Sequence, residues 1–166
     1  MYNAYLGLGS NLGDRLENIR RAVAALGNVG GIVAVSSLYE TEPAGFSSPH
    51  HFYNAAVHCR TSLGPVELLH QVKALERVLG RSASSHMKDR EIDIDILLYE
   101  DLYYLDDHLE VPHPALAGRW FALAPPNEVA GGIIHPVFNE TIARLLERCP
   151  APAFHSKVAE RITAAA

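Results

Sequence analysis

The sequence predicts an α+β fold in which one antiparallel sheet carries two helices on one face, and three observations predict it. Segments with β-prone composition and segments with helical apolar spacing follow one another in the order β-α-β-β-α-β up to about residue 100. Gly, Pro, Asn and Asp cluster at the joins between them. A chain of 166 residues suits a single core, able to remove roughly 70% of its unfolded surface from water. The expected architecture is therefore the ferredoxin-like split βαβ arrangement over one domain, residues 1–166, with a C-terminal hairpin and helix added.

Each element has its own signal. Tyr2 to Leu8 is apolar and β-prone, and GSNLGD then supplies turn residues. Asp14 with Glu17 has capping-box spacing, and Leu16, Ile19, Val23 and Leu26 recur at helical intervals until Gly27, which predicts a helix from about Arg15 to Leu26. GIVAVSSLYE (31–40) and FYNAAVHCRTS (52–62) read as strands. Pro65 stands where a first helical residue belongs, and Leu68, Leu69, Val72, Leu75 and Leu79 carry that helix towards Gly80. REIDIDILLYE, Arg90 to Glu100, is the fourth strand. Beyond it, LYYLDDHLEV suggests a small hairpin, VPHPAL a turn into a short helix, and Asn139 the cap of a last helix holding Ile142, Leu145 and Leu146. The Ala-rich end is expected to fray.

Composition narrows the function. Hydrophobic residues at 48% and charged residues at 20% fit an ordinary globular protein rather than a disordered chain. A net charge of −5 and a pI near 6.0 argue against an extended nucleic-acid surface, while leaving a small anionic substrate open. Cys59 and Cys149 form no CxxC pair, so reduced thiols are expected rather than a zinc or redox site. No apolar run reaches the roughly 18 residues of a membrane span, and the N-terminus has no leader pattern; a cytoplasmic monomer, with no membrane or nucleic-acid partner, is the expectation.

The fourth strand carries the chemistry. Alternation puts Glu91, Asp93 and Asp95 on the side opposite Ile92, Ile94 and Ile96, with successive acids roughly 6.5 Å apart at the backbone. Two such carboxylates within about 5 Å repel by roughly 3 kcal/mol at an effective dielectric near 20. Either water screens them on a solvated face or a cation sits between them. Magnesium favours hard oxygen ligands, commonly one or two carboxylates completed by substrate phosphates, and Arg81, Lys88 and Arg90 flank the acids as cations suited to a polyphosphate. Two long polar connections, 41–51 and 81–90, exceed the usual loop length of about five residues and are expected to be functional.

GLGSNLG imitates a phosphate loop without being one. Leu12 occupies the third glycine position of a dinucleotide fingerprint and no G-K-[ST] follows, so Gly7 and Gly9 are expected to permit close backbone approach, with Ser10 and Asn11 shaping the turn. In VPHPALAGRWF, His113 or Arg119 can meet phosphate oxygens, while Trp120 and Phe121 have equal claims to core and site.

In this order and spacing, AYLGLGSNLGDR, SSLYETEP, FYNAAV, the GR after the second helix, DREIDIDILLY and VPHPALAGRWF resemble the 6-hydroxymethyl-7,8-dihydropterin pyrophosphokinases of folate biosynthesis over about residues 2 to 150. The resemblance implies transfer of pyrophosphate from ATP to the pterin hydroxymethyl group with release of AMP. It implies that Asp93 and Asp95 hold two Mg2+ ions bridging the ATP phosphates, the first acid also assisting deprotonation, and that Arg81 and Arg90 join them as catalytic residues. Lys73, Glu76, Lys88, Arg90, His108, His113 and Arg119 fall at nucleotide-side positions, and Thr41, Pro43, Ala44, Phe52, Asn54 and Phe121 where the pterin pocket is built. The chain departs from the family pattern at Lys88-Asp89, where Gly-Pro is common, at Met87, often tryptophan, and at Ala83, sometimes arginine; its loop is also about one residue shorter than in the enterobacterial form. Two other classes compete: a non-catalytic ferredoxin-like binding module whose acids are merely solvated, and a metal-dependent hydrolase or nuclease.

Overall fold

A computed structural model describes residues 1–82, 88–158 and 162. Ala83 and Met87, two of the departures from the family pattern, and the Ala-rich end at 163–166 lie outside the described residues. Four strands with two intervening helices form the expected frame: β1 (Tyr2–Ser10), α1 (Arg15–Leu26), β2 (Gly31–Val35) with β3 (Leu38–Thr41), β4 (Phe52–Thr61), α2 (Pro65–Val78) and β5 (Asp93–Tyr99). β1 lies between β4 and β5, antiparallel to both, and β2 and β3 both pair with β4. The single strand expected over 31–40 is thus one strand position beside β4, broken at Ser36-Ser37. Ser36 Oγ accepts the Ala56 N–H at 2.8 Å and donates to the Ser37 carbonyl at 2.8 Å, which diverts the backbone from the ladder.

α1 follows its predicted limits because Asp14 accepts the Glu17 N–H at 3.0 Å, satisfying one of the orphan donors of the first turn. α2 opens on Pro65, with the Glu67 carboxylate accepting the Gly64 N–H at 3.1 Å, and Gly80 leaves it at φ +105°, a left-handed conformation that suits glycine. Ile19, Val23, Leu26, Leu68 and Val72 bury against Leu6, Leu8, Val57, Ile94 and Ile96 of the sheet, forming the main core. These pairings realise the 3.6-residue and two-residue periods seen in the sequence.

The second face is also partly covered. β6 (Tyr104–Leu105) and β7 (Glu110–Val111) form the expected small hairpin, and Val111-Pro112 is a cis peptide. A full helix follows, α3 (Trp120–Ala130), where the sequence reading expected only a turn into a short helix. Its Ala122, Leu123, Ala124, Pro125 and Pro126 are buried in succession, so it has no amphipathic period, and its two internal prolines read as breakers. Packing overrides them. With α4 (Ile142–Arg148) it builds a second core around Tyr5, Leu97, Leu98 and Leu116. The register shift between Tyr5 and Leu6 leaves Leu97 unpaired on β5; this bulge turns Leu98 to the second face and returns Tyr99 to the first.

Asn139 is not the cap of the last helix. It takes φ +53° in the hairpin joining β8 (Ile134–His135) to β9 (Glu140–Thr141), and Thr141 caps α4 by accepting the Arg144 N–H at 3.2 Å. After α4 the chain returns as β10 (His155–Val158), which extends the sheet outside β3. Among the described residues, no helix is long and apolar enough to cross a membrane.

Candidate active site

Alternation on β5 sends Ile94 and Ile96 into the main core and leaves Asp93 and Asp95 on the second face. There α3 stands off the sheet to leave a cavity of about 670 Å³. Its floor is β1, where Gly9 lies opposite Asp93 and Gly7 opposite Asp95. A Cβ on Gly9 would sit 3.5 Å from Phe52, 3.6 Å from the Asn54 side-chain oxygen Oδ1 and 3.9 Å from Asp93. The Gly-Leu-Gly run therefore supplies room: bare backbone joins the carboxylates to Asn54 as one continuous floor.

The carboxylate repulsion has an answer that the sequence reading did not consider. Asp93 is paired with Arg81 through Oδ1 and with Arg90 through Oδ2 at 3.0 Å. Lys73 Nζ stands 3.7 Å from Asp95 and 4.0 Å from Asp93, and donates to Glu76 at 2.9 Å and to the Ile94 carbonyl at 3.0 Å. Glu76, buried on α2, also accepts Arg81 at 2.8 Å and the Ile94 N–H at 2.6 Å. The cluster thus sets Glu76, Asp93 and Asp95 against Lys73, Arg81 and Arg90, a near balance built from protein groups alone.

The two aspartates nevertheless differ. Burial raises the proton affinity of Asp93, but the charges of Arg81, Arg90 and Lys73 outweigh it and hold the carboxyl below its ordinary range. Burial, then the neighbouring Asp93 charge, push Asp95 above that range. Negative potential is therefore least compensated at Asp95, whose side chain keeps 38% of its surface open to the cavity. His113 faces it at 4.0 Å through Nε2; the other ring nitrogen, Nδ1, accepts the Ala115 N–H at 3.1 Å, which leaves the proton on Nε2.

The opposite end of the cavity is aromatic and amide in character. The Asn54 amide donates to Thr41 Oγ1 at 2.8 Å, both side chains being buried, which leaves an acceptor and a second donor free to meet a planar heterocycle. Phe52 meets Phe46 edge-on at 6.1 Å, and the Arg90 guanidinium lies 5.5 and 5.9 Å from those two rings. Ala44, Arg119 and Phe121 complete the lining. Of the two aromatics with equal claims, Phe121 faces the cavity, while Trp120 packs edge-on against Tyr39 at 5.8 Å.

The structure thus brings together Thr41, Ala44, Phe52, Asn54, Lys73, Glu76, Arg81, Arg90, Asp93, Asp95, His113, Arg119 and Phe121 around one cavity. Three expected site residues stand outside it. Pro43 lines a smaller hollow of about 180 Å³ beside it, Lys88 is exposed and meets Arg90 only through its carbonyl, and His108 is exposed in the β6–β7 turn. That turn carries His108 away because its own N–H is tied back to Asp106 at 2.7 Å. The sequence reading missed Phe46, Glu42 and Arg77 as lining residues.

It also missed what Asn11 does. Buried in the turn after β1, Asn11 accepts the Arg90 N–H at 2.8 Å and donates to Asp89 at 2.7 Å and to the His50 carbonyl at 3.2 Å, while its own N–H bonds the Arg90 carbonyl at 3.1 Å. One amide therefore joins both long loops to the floor. An asparagine in a glycine-rich turn reads as turn chemistry, so the only hint was its place between two glycines in GSNLG.

Magnesium fits this donor set. Asp93 and Asp95 offer hard oxygens on one strand face, and among the described residues no third His, Cys, Asp or Glu joins them as a ready-made metal cluster. Two carboxylates facing an open cavity match a cation whose remaining ligands arrive with a phosphate-bearing substrate.

The model of the 7,8-dihydro-6-hydroxymethylpterin-pyrophosphokinase family matches residues 5–131. The chain is 40% identical over 142 residues to the 2-amino-4-hydroxy-6-hydroxymethyldihydropteridine pyrophosphokinase of Aquifex aeolicus, an alignment spanning 86% of this chain and 89% of that one. It is 45% identical over 137 residues to the protein of the same name from Porphyromonas gingivalis, spanning 80% and 92% respectively. Against the folic acid synthesis protein of Schizosaccharomyces pombe the identity is 35%, and the chain spans only 20% of that longer protein. In fold it matches Plasmodium falciparum HPPK-DHPS with a TM-score of 0.73 at 19% identity, covering 89% of this chain and 44% of that one.

Proposed function

The chain belongs to the 7,8-dihydro-6-hydroxymethylpterin-pyrophosphokinase family, and from that premise we propose that it transfers the pyrophosphoryl group of ATP to the hydroxymethyl group of 6-hydroxymethyl-7,8-dihydropterin in folate synthesis, releasing AMP. The observation that carries this reading is the division of one cavity into a cationic-acidic end and an amide-aromatic end. A triphosphate suits the first and a pterin the second. The same reading takes residues 1–166 as one domain, acting as a cytoplasmic monomer.

In this scheme the acceptor hydroxyl gives up its proton with the help of Asp93, and its oxygen forms a bond to the β-phosphorus as the bond from that phosphorus to the α–β bridging oxygen breaks, so that AMP departs. Such a displacement asks little covalent chemistry of the protein and much positioning. Asn54, oriented by Thr41, recognises the pterin edge, and Phe52 with Phe121 packs against its ring. Arg81 and Arg90 exchange their present partner Asp93 for phosphate oxygens, and His113 and Arg119 approach from the opposite wall. Asp93 and Asp95 would hold the two magnesium ions, which when bound would neutralise phosphate charge. Lys73 and Glu76 then keep α2 and β5 in register beneath the nucleotide.

Product analysis by mass tests the proposal. ATP, magnesium and the hydroxymethyl pterin should yield AMP and the pyrophosphorylated pterin; ADP would mean ordinary phosphoryl transfer, and nucleotide hydrolysis without acceptor would mean a hydrolase. Asp95→Asn tests the metal role separately. Turnover within about threefold of wild type, less than 1 kcal/mol in barrier, would remove that role.

A further inference from the structure

The segment after α4, residues 150–158, lies beyond the stretch that the family model matches and has had no part in the function so far. Its placement is specific. β10 pairs antiparallel with β3, His155 opposite Thr41 and Lys157 opposite Tyr39. Thr41 is the residue whose hydroxyl orients Asn54. Ahead of the strand, Phe154 packs its ring 4.6 Å from that of His51, at the far end of the 42–51 connection. The inner side of His51 is held too, since its carbonyl accepts Arg15 at 2.9 Å. On its other flank the segment grips α3: the His155 ring lies 4.6 Å from Trp120, and Lys157 donates to Glu128 at 3.0 Å.

These contacts join the two walls of the amide-aromatic end. One wall is Thr41, Ala44 and Phe46 on the 41–51 stretch; the other is Arg119 and Phe121 at the start of α3. Pro150 and Pro152 fill in behind both, lining the smaller hollow with Thr41, Pro43 and Phe121. Among the described residues, the ion pairs and hydrogen bonds described above for the phosphate end run among α2, β5 and the residues flanking them, away from 150–158.

We infer that residues 150–158 are a positioning strap for the acceptor half of the site: α3 already meets this edge directly through Glu128 with Ser37 and Tyr39, and the strap adds His51 and Thr41 to that tie, so that it narrows the freedom of the slot that receives the pterin and leaves the nucleotide half untouched. The inference rests on the functional reading above, which makes that half the pterin site. Its physical basis is that a planar ligand must touch both walls at once, and a gap of about 0.5–1 Å already forfeits roughly a quarter to a half of each dispersion contact. An edge strand is a suitable strap because its backbone ladder is added without altering any side chain that faces the cavity.

The test measures equilibrium binding in full-length Ser156→Pro, which removes one backbone donor beside Glu40, and Phe154→Ala, which removes the ring against His51. Binding of 6-hydroxymethylpterin is read by its fluorescence with α,β-methylene ATP and magnesium present, and binding of the ATP analogue is read alone. We expect the pterin Kd to rise about fivefold or more in both variants with the nucleotide Kd within about twofold of wild type, and Ser156→Thr to restore wild-type pterin binding. A pterin Kd that stays within about twofold in both variants overturns the strap, and so does a parallel loss of pterin and nucleotide binding, which would make the segment a general stabiliser. Failure of the wild-type chain itself to bind pterin strikes the proposed function instead.

Discussion

Replacing Asn11 by alanine should show how much of the site hangs on one buried amide. The substitution leaves the Arg90 N–H, now 2.8 Å from Asn11 Oδ1, without its acceptor at a position where Asn11 is 2% exposed. An orphaned buried donor costs roughly 1–3 kcal/mol. The bond to Asp89 at 2.7 Å adds about 1 kcal/mol, because that carboxylate can turn to solvent, and the 3.2 Å bond to the His50 carbonyl adds less. The total is about 3 kcal/mol, which for a domain of this size lowers Tm by roughly 6–12 °C. Activity should suffer beyond stability. Arg90 reaches Asp93 and the two phenylalanine rings from a backbone that Asn11 fixes, so kcat/KM should fall at a temperature where the variant is fully folded. Urea unfolding followed by circular dichroism, with kinetics at 15 °C below the variant Tm, gives both numbers. A stability loss under about 0.5 kcal/mol together with unchanged kcat/KM would falsify the idea that this amide holds the loops.

Other consequences are as direct. Leu123→Ala, at a fully buried position of α3, should cost about 2–5 kcal/mol in urea unfolding; a cost under 1 kcal/mol would mean that α3 does not pack on the sheet as described. Gly30→Ala places a Cβ 2.6 Å from the Arg60 carbonyl oxygen, a backbone atom with little freedom to yield, and should destabilise by about 1–3 kcal/mol, whereas Gly31→Ala, whose Cβ meets nothing within 4 Å, is the control and should change little. Glu128 gives a pH signature: burial raises its pKa, but hydrogen bonds from Tyr39, Ser37 and Lys157 prevail and bring it down to about 2 from 4.5. Its contribution to stability is therefore complete above about pH 4.5 and lost as pH falls through about 2. Discounted for solvent screening it amounts to about 1–2 kcal/mol, so wild type and Glu128→Gln should differ by that much at pH 7 and converge on acidification; a difference that persisted at pH 2 would rule out the charge as its source.

Where a residue's role follows from local periodicity, the sequence sufficed. The limits of α1, the Pro65 start of α2, and the aspartates set on one face of β5 with isoleucines on the other are consequences of a 3.6-residue or two-residue repeat acting on burial, and they stand in the chain as plainly as in the fold. The family motifs add the chemistry those elements present. What the repeat does not encode came from packing between distant segments. α3 is buried along successive residues and contains two prolines, so its helicity depends on the sheet face it covers, not on any pattern of its own. The bulge at Leu97 is a mismatch between two strands and exists in neither alone. Asp93 and Asp95 coexist because α2 and the residues before β5 deliver Lys73, Arg81 and Arg90 to them, and Asn11 reaches across 79 positions to the Arg90 N–H. Local sequence sets which way a side chain points; only chain closure sets what it meets there, because the energy of a charge or a buried amide is decided by partners far away along the chain.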